Sequence, residues 1–397
     1  MLRLLFVLAF AITPIATIHA AEAAPLPKPA PAAAAEIAVP APPAIEASGY
    51  ILIDASTGKT LAERNADEPL APASLTKIMT SYIAAREIAS GRISLDSEVP
   101  ISVHAWRAGS EGSRMFIQEG RTVKLDDLLK GIIVQSGNDS SIAVAEFIAG
   151  SEDAFADMMN QQAAALGMRA SQFRNATGLP VEGHITTARD LATLTRALIA
   201  NFPEHYKIYS MKSFRFNDID QPNRNRLLWR DRTVDGVKTG HTDAAGYCLV
   251  ASAVREGMRL ISVVLHTDSD EARMVESQKL LSYGFRYFQT QKLYDPGVML
   301  KTVDVWYGAD GQLQLGVKDP VWVTIPRGHY EELRAETDIA RIVKAPLNAG
   351  DEFGELRVLL GDELVLKVPL VAMQSVAEAG FFTRAWQGVY LFFHEIL

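Results

Sequence analysis

The sequence predicts a mixed α/β fold of the α+β kind. One antiparallel sheet flanked by helices comes first, then a small all-β sandwich, then a C-terminal amphipathic helix. Three observations predict it. Strand-like runs stand at both ends of residues 46–290 with helical periodicity between them, which suggests one sheet whose terminal strands meet. After Gln291 the pattern changes to short alternating runs separated by turn residues. On a helix, Phe382, Trp386, Val389, Phe393 and Ile396 share one face. A chain of 397 residues has room for two domains, and a hydrophobic content of 48% is ample for a core.

Taken in order, Arg3 is followed by an apolar run that ends in small residues around Ala20-Ala21. Residues 1–20 therefore read as a secretory signal peptide; Thr13-Pro14 interrupts a run already too short to span a bilayer. Residues 21–45 are rich in Ala and Pro and read as a linker that acts as a spacer. The single Cys248 has no partner for an internal disulfide, so an exported fold must rest on burial. A net charge of −8 without a long basic run argues against nucleic-acid binding.

Residues 50–61 read as strand, turn, strand, with Gly58 at the turn. Pro72-Ala73-Ser74-Leu75-Thr76-Lys77 then leads into a helix whose apolar positions include Leu75, Ile78, Met79 and Ile83. Ser74 and Lys77 are three residues apart, so a helix sets both on one face. A serine is a poor nucleophile until a neighbouring base takes its proton, and a lysine one turn on can be that base. Ser56 and Lys59 have the same spacing but fall in the hairpin turn, where they need not face each other. No G-x-S-x-G elbow competes. Residues 109–113 form a Gly/Ser-rich loop. Residues 122–130 read as a capped helix, 132–139 as a buried run, and 143–148 as a helix. A turn over 173–180 and a helix over 187–199 follow. Strands over 234–240, 246–253 and 260–265 and a helix over 271–288 complete the domain. The all-β segment, 291–375, holds no cluster of catalytic residue types. Residues 376–397 are too short and interrupted to span a bilayer; they fit a helix lying in a membrane surface, the alternative being a helix docked on the β domain.

Three stretches extend the Ser74-Lys77 pair: Gln135-Ser136-Gly137-Asn138-Asp139, Gly183-His184-Ile185-Thr186-Thr187-Ala188-Arg189-Asp190, and Val234-Asp235-Gly236-Val237-Lys238-Thr239-Gly240-His241-Thr242. With them the chain resembles the low-molecular-mass penicillin-binding proteins, the type-5 D-alanyl-D-alanine carboxypeptidases, over about residues 46–397. The resemblance implies the serine DD-peptidase and β-lactamase fold. It also implies that Ser74 attacks the carbonyl between two D-alanines and that Lys77 takes its proton. Ser136 would relay a proton to the leaving amine and Asn138 would hold the substrate amide. Lys238 would help to lower the pKa of Lys77. The backbone N–H groups of Ser74 and His241 would form the oxyanion hole, and Thr239, beside Gly240, would bind the terminal carboxylate with Arg273. No metal or organic cofactor is implied. The implied partners are peptidoglycan stem peptides, β-lactam antibiotics and the membrane surface. The implied location is the periplasmic face of the inner membrane. A D,D-endopeptidase, a β-lactamase and a catalytically idle wall- or drug-binding protein are the alternatives. His184 reads as a structural hydrogen-bonding residue, and Asp243 adds a negative charge near the carboxylate-binding residues.

Overall fold

The structure, a computed structural model, describes residues 39–109 and 111–396. The expected signal peptide and most of the linker lie outside the described residues. Two compact units are present: residues 39–293 with Trp322–Tyr330, and Tyr294–Val321 with the chain from Glu331 onward.

The larger unit begins with the hairpin of β1 (Gly49–Asp54) and β2 (Thr60–Arg64). All of β1 is buried, because both sheet faces are covered. Ile51 and Ile53 face a core shared with the helices, while Tyr50 and Leu52 face a second core. This is period-two alternation with two apolar faces. α1 (Lys77–Ala89) is the central helix, with Ile78, Met79, Tyr82 and Ile83 buried.

β3 (Glu98–Pro100) is followed by α2 (Val103–Ala108). β4 (Thr122–Lys124) pairs with β3, and only at Leu125 does α3 (Leu125–Lys130) begin. The first three residues of the expected capped helix over 122–130 are thus strand. Lys124 makes no side-chain cap, and Thr122 and Val123 are β-branched residues with a strand to pair with. α4 (Asn138–Ala149) starts five residues earlier than expected, directly after Ser136-Gly137. α5 (Glu152–Ala165) and α6 (Ala188–Asn201) are each capped, by Ser151 and Thr187. Short elements follow: α7 (Pro203–Tyr206), the hairpin β5 (Ser213–Phe216) with β6 (Ile219–Pro222), and α8 (Leu227–Arg230).

The three expected strands are β7 (Val234–Thr242), β8 (Gly246–Arg255) and β9 (Met258–Thr267), followed by α9 (Asp270–Tyr287). Sheet order is β2-β1-β9-β8-β7, antiparallel throughout, so the two ends of the domain meet at β1 and β9 and β7 is an edge. β10 (Phe288–Tyr294) continues from α9. Buried Asp54 joins this end of the unit to the first hairpin: its carboxylate accepts from Thr57 N and Oγ1 at 2.8 and 2.9 Å and from Thr290 Oγ1 at 2.7 Å.

The last part of the expected linker is not a free spacer. Ile45 is buried, Tyr283 donates to Pro40 O at 2.9 Å, and Arg64 donates to Ile45 O at 2.8 Å.

In chain order the remaining strands are β11 (Met299–Trp306), β12 (Gln312–Gly316), β13 (Val321–Pro326), β14 (Leu333–Ile339), β15 (Val343–Lys344), β16 (Glu352–Leu360) and β17 (Glu363–Ala372). β13 pairs with β10. The others form a sheet ordered β14-β16-β17-β12-β11-β15. α10 (Phe381–Ile396) closes the chain. Its Gln387 accepts from Tyr307 N at 2.5 Å and Tyr390 stacks on Trp306. Phe381, Phe382, Trp386 and Val389 stay exposed, at 71, 87, 76 and 57%.

Candidate active site

Ser74 lies in the 3-10 turn Ala73–Thr76, just ahead of α1 rather than inside it. The turn continues into α1, so Lys77 still falls beside Ser74, its Nζ 3.0 Å from Ser74 Oγ. Two further acceptors hold that nitrogen: Asn138 Oδ1 at 2.7 Å and the Thr177 carbonyl at 2.6 Å. A neutral amine has two N–H groups and one lone pair. Asn138 and Thr177 can take the two hydrogens, which leaves the lone pair to accept the Ser74 proton. Burial brings the pKa of Lys77 down to about 7, with the nearby Arg224 charge adding to the shift. A large neutral fraction is therefore present near neutrality.

Ser136 and Asn138 come to the site through an irregular backbone. The π-helical turn Gly131–Gln135 ends at Ser136, which adopts the left-handed conformation (φ 68°). Gly137 then opens α4. A Cβ there would lie 2.5 Å from Ser140 Oγ and 2.8 Å from Asp139 Oδ1. Buried Asp139 holds the opposite strap by accepting from the N–H groups of Met115, Phe116 and Ile117. Both ends of the Asn138 amide are engaged within the protein, since its Nδ2 donates to Glu111 O while Oδ1 receives Lys77. It ties the lysine to the Glu111 carbonyl, and each end of the amide keeps a second hydrogen-bonding position.

Lys238 on β7 donates to Ser136 Oγ at 2.9 Å and to Thr239 O at 3.0 Å. Burial, then the charges of Lys77, Arg224 and Arg273, push its pKa well below the usual lysine value. β7 runs against the Ser74 turn at Gly240, where a Cβ would meet Pro72 O at 3.0 Å and Ala73 Cβ at 3.3 Å. Thr239 is buried, His241 is exposed, and the His241 ring stacks on Tyr247 at 4.0 Å. Arg273 reaches back from α9 to donate to Gly240 O at 2.9 Å. Asp243 is exposed.

The structure therefore brings Ser74, Lys77 and Asn138 into one cluster and Ser136 with Lys238 into another. It sets Thr239, Gly240, His241 and Arg273 along the β7 edge. The second S-x-x-K copy stays in the hairpin turn, where Lys59 Nζ donates to Thr324 O at 3.2 Å. His184 is buried, pairs with Thr76 Oγ1 at 2.8 Å and accepts from Arg174 N. Burial pushes its pKa down to about 4, so it stays neutral and ties the loop over 175–184 to the nucleophile turn. Cys248 is a packed strand residue whose thiol pKa burial raises to about 11.

Sequence reasoning missed Thr177, Arg224 and Tyr247. Thr177 belongs to a segment read only as a turn. Asn175 Oδ1 accepts from the N–H groups of Thr177 and Gly178, and that closed turn presents the Thr177 carbonyl to Lys77. The Asn175-Ala176-Thr177-Gly178 run was its signal. A cavity of about 260 Å³ lined by Ala73, Gly178, Thr242 and Ala244 borders the site. A larger one, about 850 Å³, is lined by Ile51, Arg189, Arg196 and Arg259 and shares no residue with it. Among the described residues, no three His, Cys, Asp or Glu side chains gather where they could hold a metal ion.

Comparison with known proteins places these observations in a family. Residues 36–269 match the D-alanyl-D-alanine carboxypeptidase family, peptidase S11, and residues 288–378 match the penicillin-binding protein 5 C-terminal domain. The chain is 45% identical to the Escherichia coli (strain K12) D-alanyl-D-alanine carboxypeptidase DacC over 359 residues, 89% of this chain and 90% of the relative. Among solved structures, penicillin-binding protein 5 from Haemophilus influenzae superposes with a TM-score of 0.82 at 40% identity, covering 85% of this chain and 99% of that one. Penicillin-binding protein D2 from Listeria monocytogenes, in its ampicillin-bound form, matches 61% of this chain and 98% of its own length at 30% identity, with a TM-score of 0.56.

Proposed function

The chain belongs to the serine D-alanyl-D-alanine carboxypeptidase family and is a D-alanyl-D-alanine carboxypeptidase, and we propose that it works through an acyl-enzyme on Ser74. The observation that carries this reading is the Lys77 amine, 3.0 Å from Ser74 Oγ and brought by burial to a pKa of about 7. Neutral Lys77 takes the Ser74 proton as Oγ bonds to the carbonyl carbon of the D-Ala-D-Ala amide. The carbonyl oxygen becomes an oxyanion, received by the N–H groups of Ser74 and His241. On collapse the C–N bond breaks. The leaving D-alanine nitrogen takes the Ser136 hydroxyl proton, and Ser136, which Lys238 contacts at 2.9 Å, takes in turn the proton that Lys77 removed from Ser74. Water then adds to the acyl carbon and releases Ser74.

The guanidinium groups of Arg224 and Arg273, which act electrostatically on one another and on Lys238, give the site an anion-seeking field. That field suits a substrate ending in a free carboxylate, received by Thr239 and Arg273. A strained cyclic amide with a neighbouring carboxylate presents the same groups, so β-lactams acylate Ser74. The ampicillin-bound Listeria relative supports this. The natural substrates are peptidoglycan stem peptides, met on the periplasmic face of the inner membrane after export. No described helix is long and apolar enough to cross a membrane, and the exposed apolar face of α10 suits peripheral attachment to a lipid surface.

The test is product analysis by mass. The protein is incubated with a muropeptide ending in D-Ala-D-Ala and with a cross-linked dimer. Loss of one alanine from the monomer, abolished by Ser74→Ala, is expected. Cleavage of the dimer alone would move the assignment to an endopeptidase.

A further inference from the structure

α9 begins with Ser269 as N-cap and acidic residues Asp270 and Glu271 in its first turn. Acids are ordinary there, because they complement the positive end of the helix. Asp270 nevertheless differs from a solvated first-turn acid. Each of its carboxylate oxygens meets a different guanidinium: Oδ1 accepts from Arg273 Nη2, and Oδ2 lies 3.1 Å from Arg226 Nε. Arg226 comes from the N-terminal end of α8.

Arg273 is buried, at 7% exposure. Its Nη1 donates to Gly240 O at 2.9 Å, and its guanidinium carbon lies 5.5 Å from the centre of the Tyr247 ring. Tyr247 in turn stacks on His241. The guanidinium is thus held on three sides: by a carbonyl of the strand that lines the nucleophile, by an aromatic face, and by Asp270. Removing Asp270 releases one of those sides and leaves a buried cation short of its counter-charge, with Arg224 repelling it.

We propose that Asp270 is a positioning residue for substrate recognition: it fixes the Arg273 guanidinium against Gly240 so that the remaining N–H groups meet the C-terminal carboxylate of the peptide. The proposal rests on the carboxypeptidase reading above. Arg226 supports Asp270 from the far side. The neighbouring Arg230–Glu271 pair, at 3.2 Å, has both side chains about half exposed and touches nothing in the site. Exposed pairs of this kind contribute little, so it serves as a control.

The experiment compares two substrates with the same acyl group. One is a peptide ending in free D-Ala-D-Ala. The other is a thioester whose leaving group carries no carboxylate. In Asp270→Ala, KM for the peptide is expected to rise on the order of tenfold or more, as expected for one lost charge-assisted hydrogen bond, with kcat nearly unchanged. Thioester hydrolysis is expected to stay at the wild-type rate. Asp270→Glu should recover part of the peptide KM, and Glu271→Gln should leave both substrates unaffected. Adding Asp270→Ala to Arg273→Ala should produce no further loss on the peptide. Equal losses on both substrates would mean a general packing role and overturn the proposal. A fall in peptide KM would overturn it too, by making Asp270 a competitor for Arg273. If Asp270→Ala does not fold, Asp270→Asn is read against the same two substrates. A wild type that hydrolyses the thioester but never the peptide would instead refute the carboxypeptidase reading.

Discussion

At the residue scale, the chemistry turns on the protonation of one buried amine. Lys77 as an ammonium has no lone pair and cannot accept the Ser74 proton; as an amine it can. Its pKa of about 7 sets the sign of the pH dependence. The rate of acylation by a fluorescent penicillin is expected to fall about tenfold per unit below that value and to level off above it. Stopped-flow labelling between pH 5 and 9 measures this directly, and a flat profile would remove Lys77 as the base. Lys77→Arg should abolish labelling, because a guanidinium stays charged throughout that range. Gly178 is a second sensitive position. Its φ is +86°, and a Cβ would fall 1.8 Å from the Ala73 carbonyl, a backbone atom of the nucleophile turn. Gly178→Ala is expected to cost upward of about 1–3 kcal/mol of stability and to lower labelling of Ser74. Thermal melting and gel fluorescence read the two effects.

At the element scale, legibility followed period and motif. The three strands β7 to β9 and helices α1, α6 and α9 were readable because their patterns are long and regular. β4 was misread because Thr122, Val123 and Lys124 are too few to show a period of two, and the strand exists only through its partner β3. The packing of residues 39–45 was hidden for a related reason: an Ala/Pro composition does not reveal that Ile45 finds a pocket and Pro40 O a tyrosine donor. α10 presents two different faces. One face docks through Gln387 and Tyr390, and another leaves Phe382, Trp386 and Val389 open. Residues 376–379 are tied to the β unit by the Leu347–Val376 and Gly308–Glu378 bridges, so a clean removal of the helix cuts after Gly380. That deletion is expected to abolish co-sedimentation with anionic vesicles while leaving kcat/KM on a soluble peptide within about twofold, since no residue of the site lies there. Undiminished vesicle binding would exclude the helix as the anchor.

At the scale of the whole molecule, the site is assembled from distant parts of the chain. The motifs pointed to Ser74, Lys77, Ser136, Asn138 and Lys238, because fixed chemistry demands fixed residue types, and hydrogen bonds join Ser74, Lys77 and Asn138 in one cluster and Ser136 with Lys238 in another. Motifs could not reveal Thr177, which contributes only a carbonyl, or Tyr247, which contributes only a ring face. Nor could they show that Asn138 also binds Lys77 and the Glu111 carbonyl. Such contributions depend on backbone path rather than on side-chain identity. The pairing of β1 with β9 has a consequence in time. Gly49 lies opposite Leu265, so the first strand of the sheet waits for a partner made about 200 residues later, roughly 10–40 s at ordinary rates of synthesis. Throughout that interval β1 is an apolar strand with one side unpaired, and contacts so far apart in sequence form slowly. The nascent catalytic unit thus passes through a long sticky phase, and its survival depends on whatever shields that strand until the last third of the unit arrives.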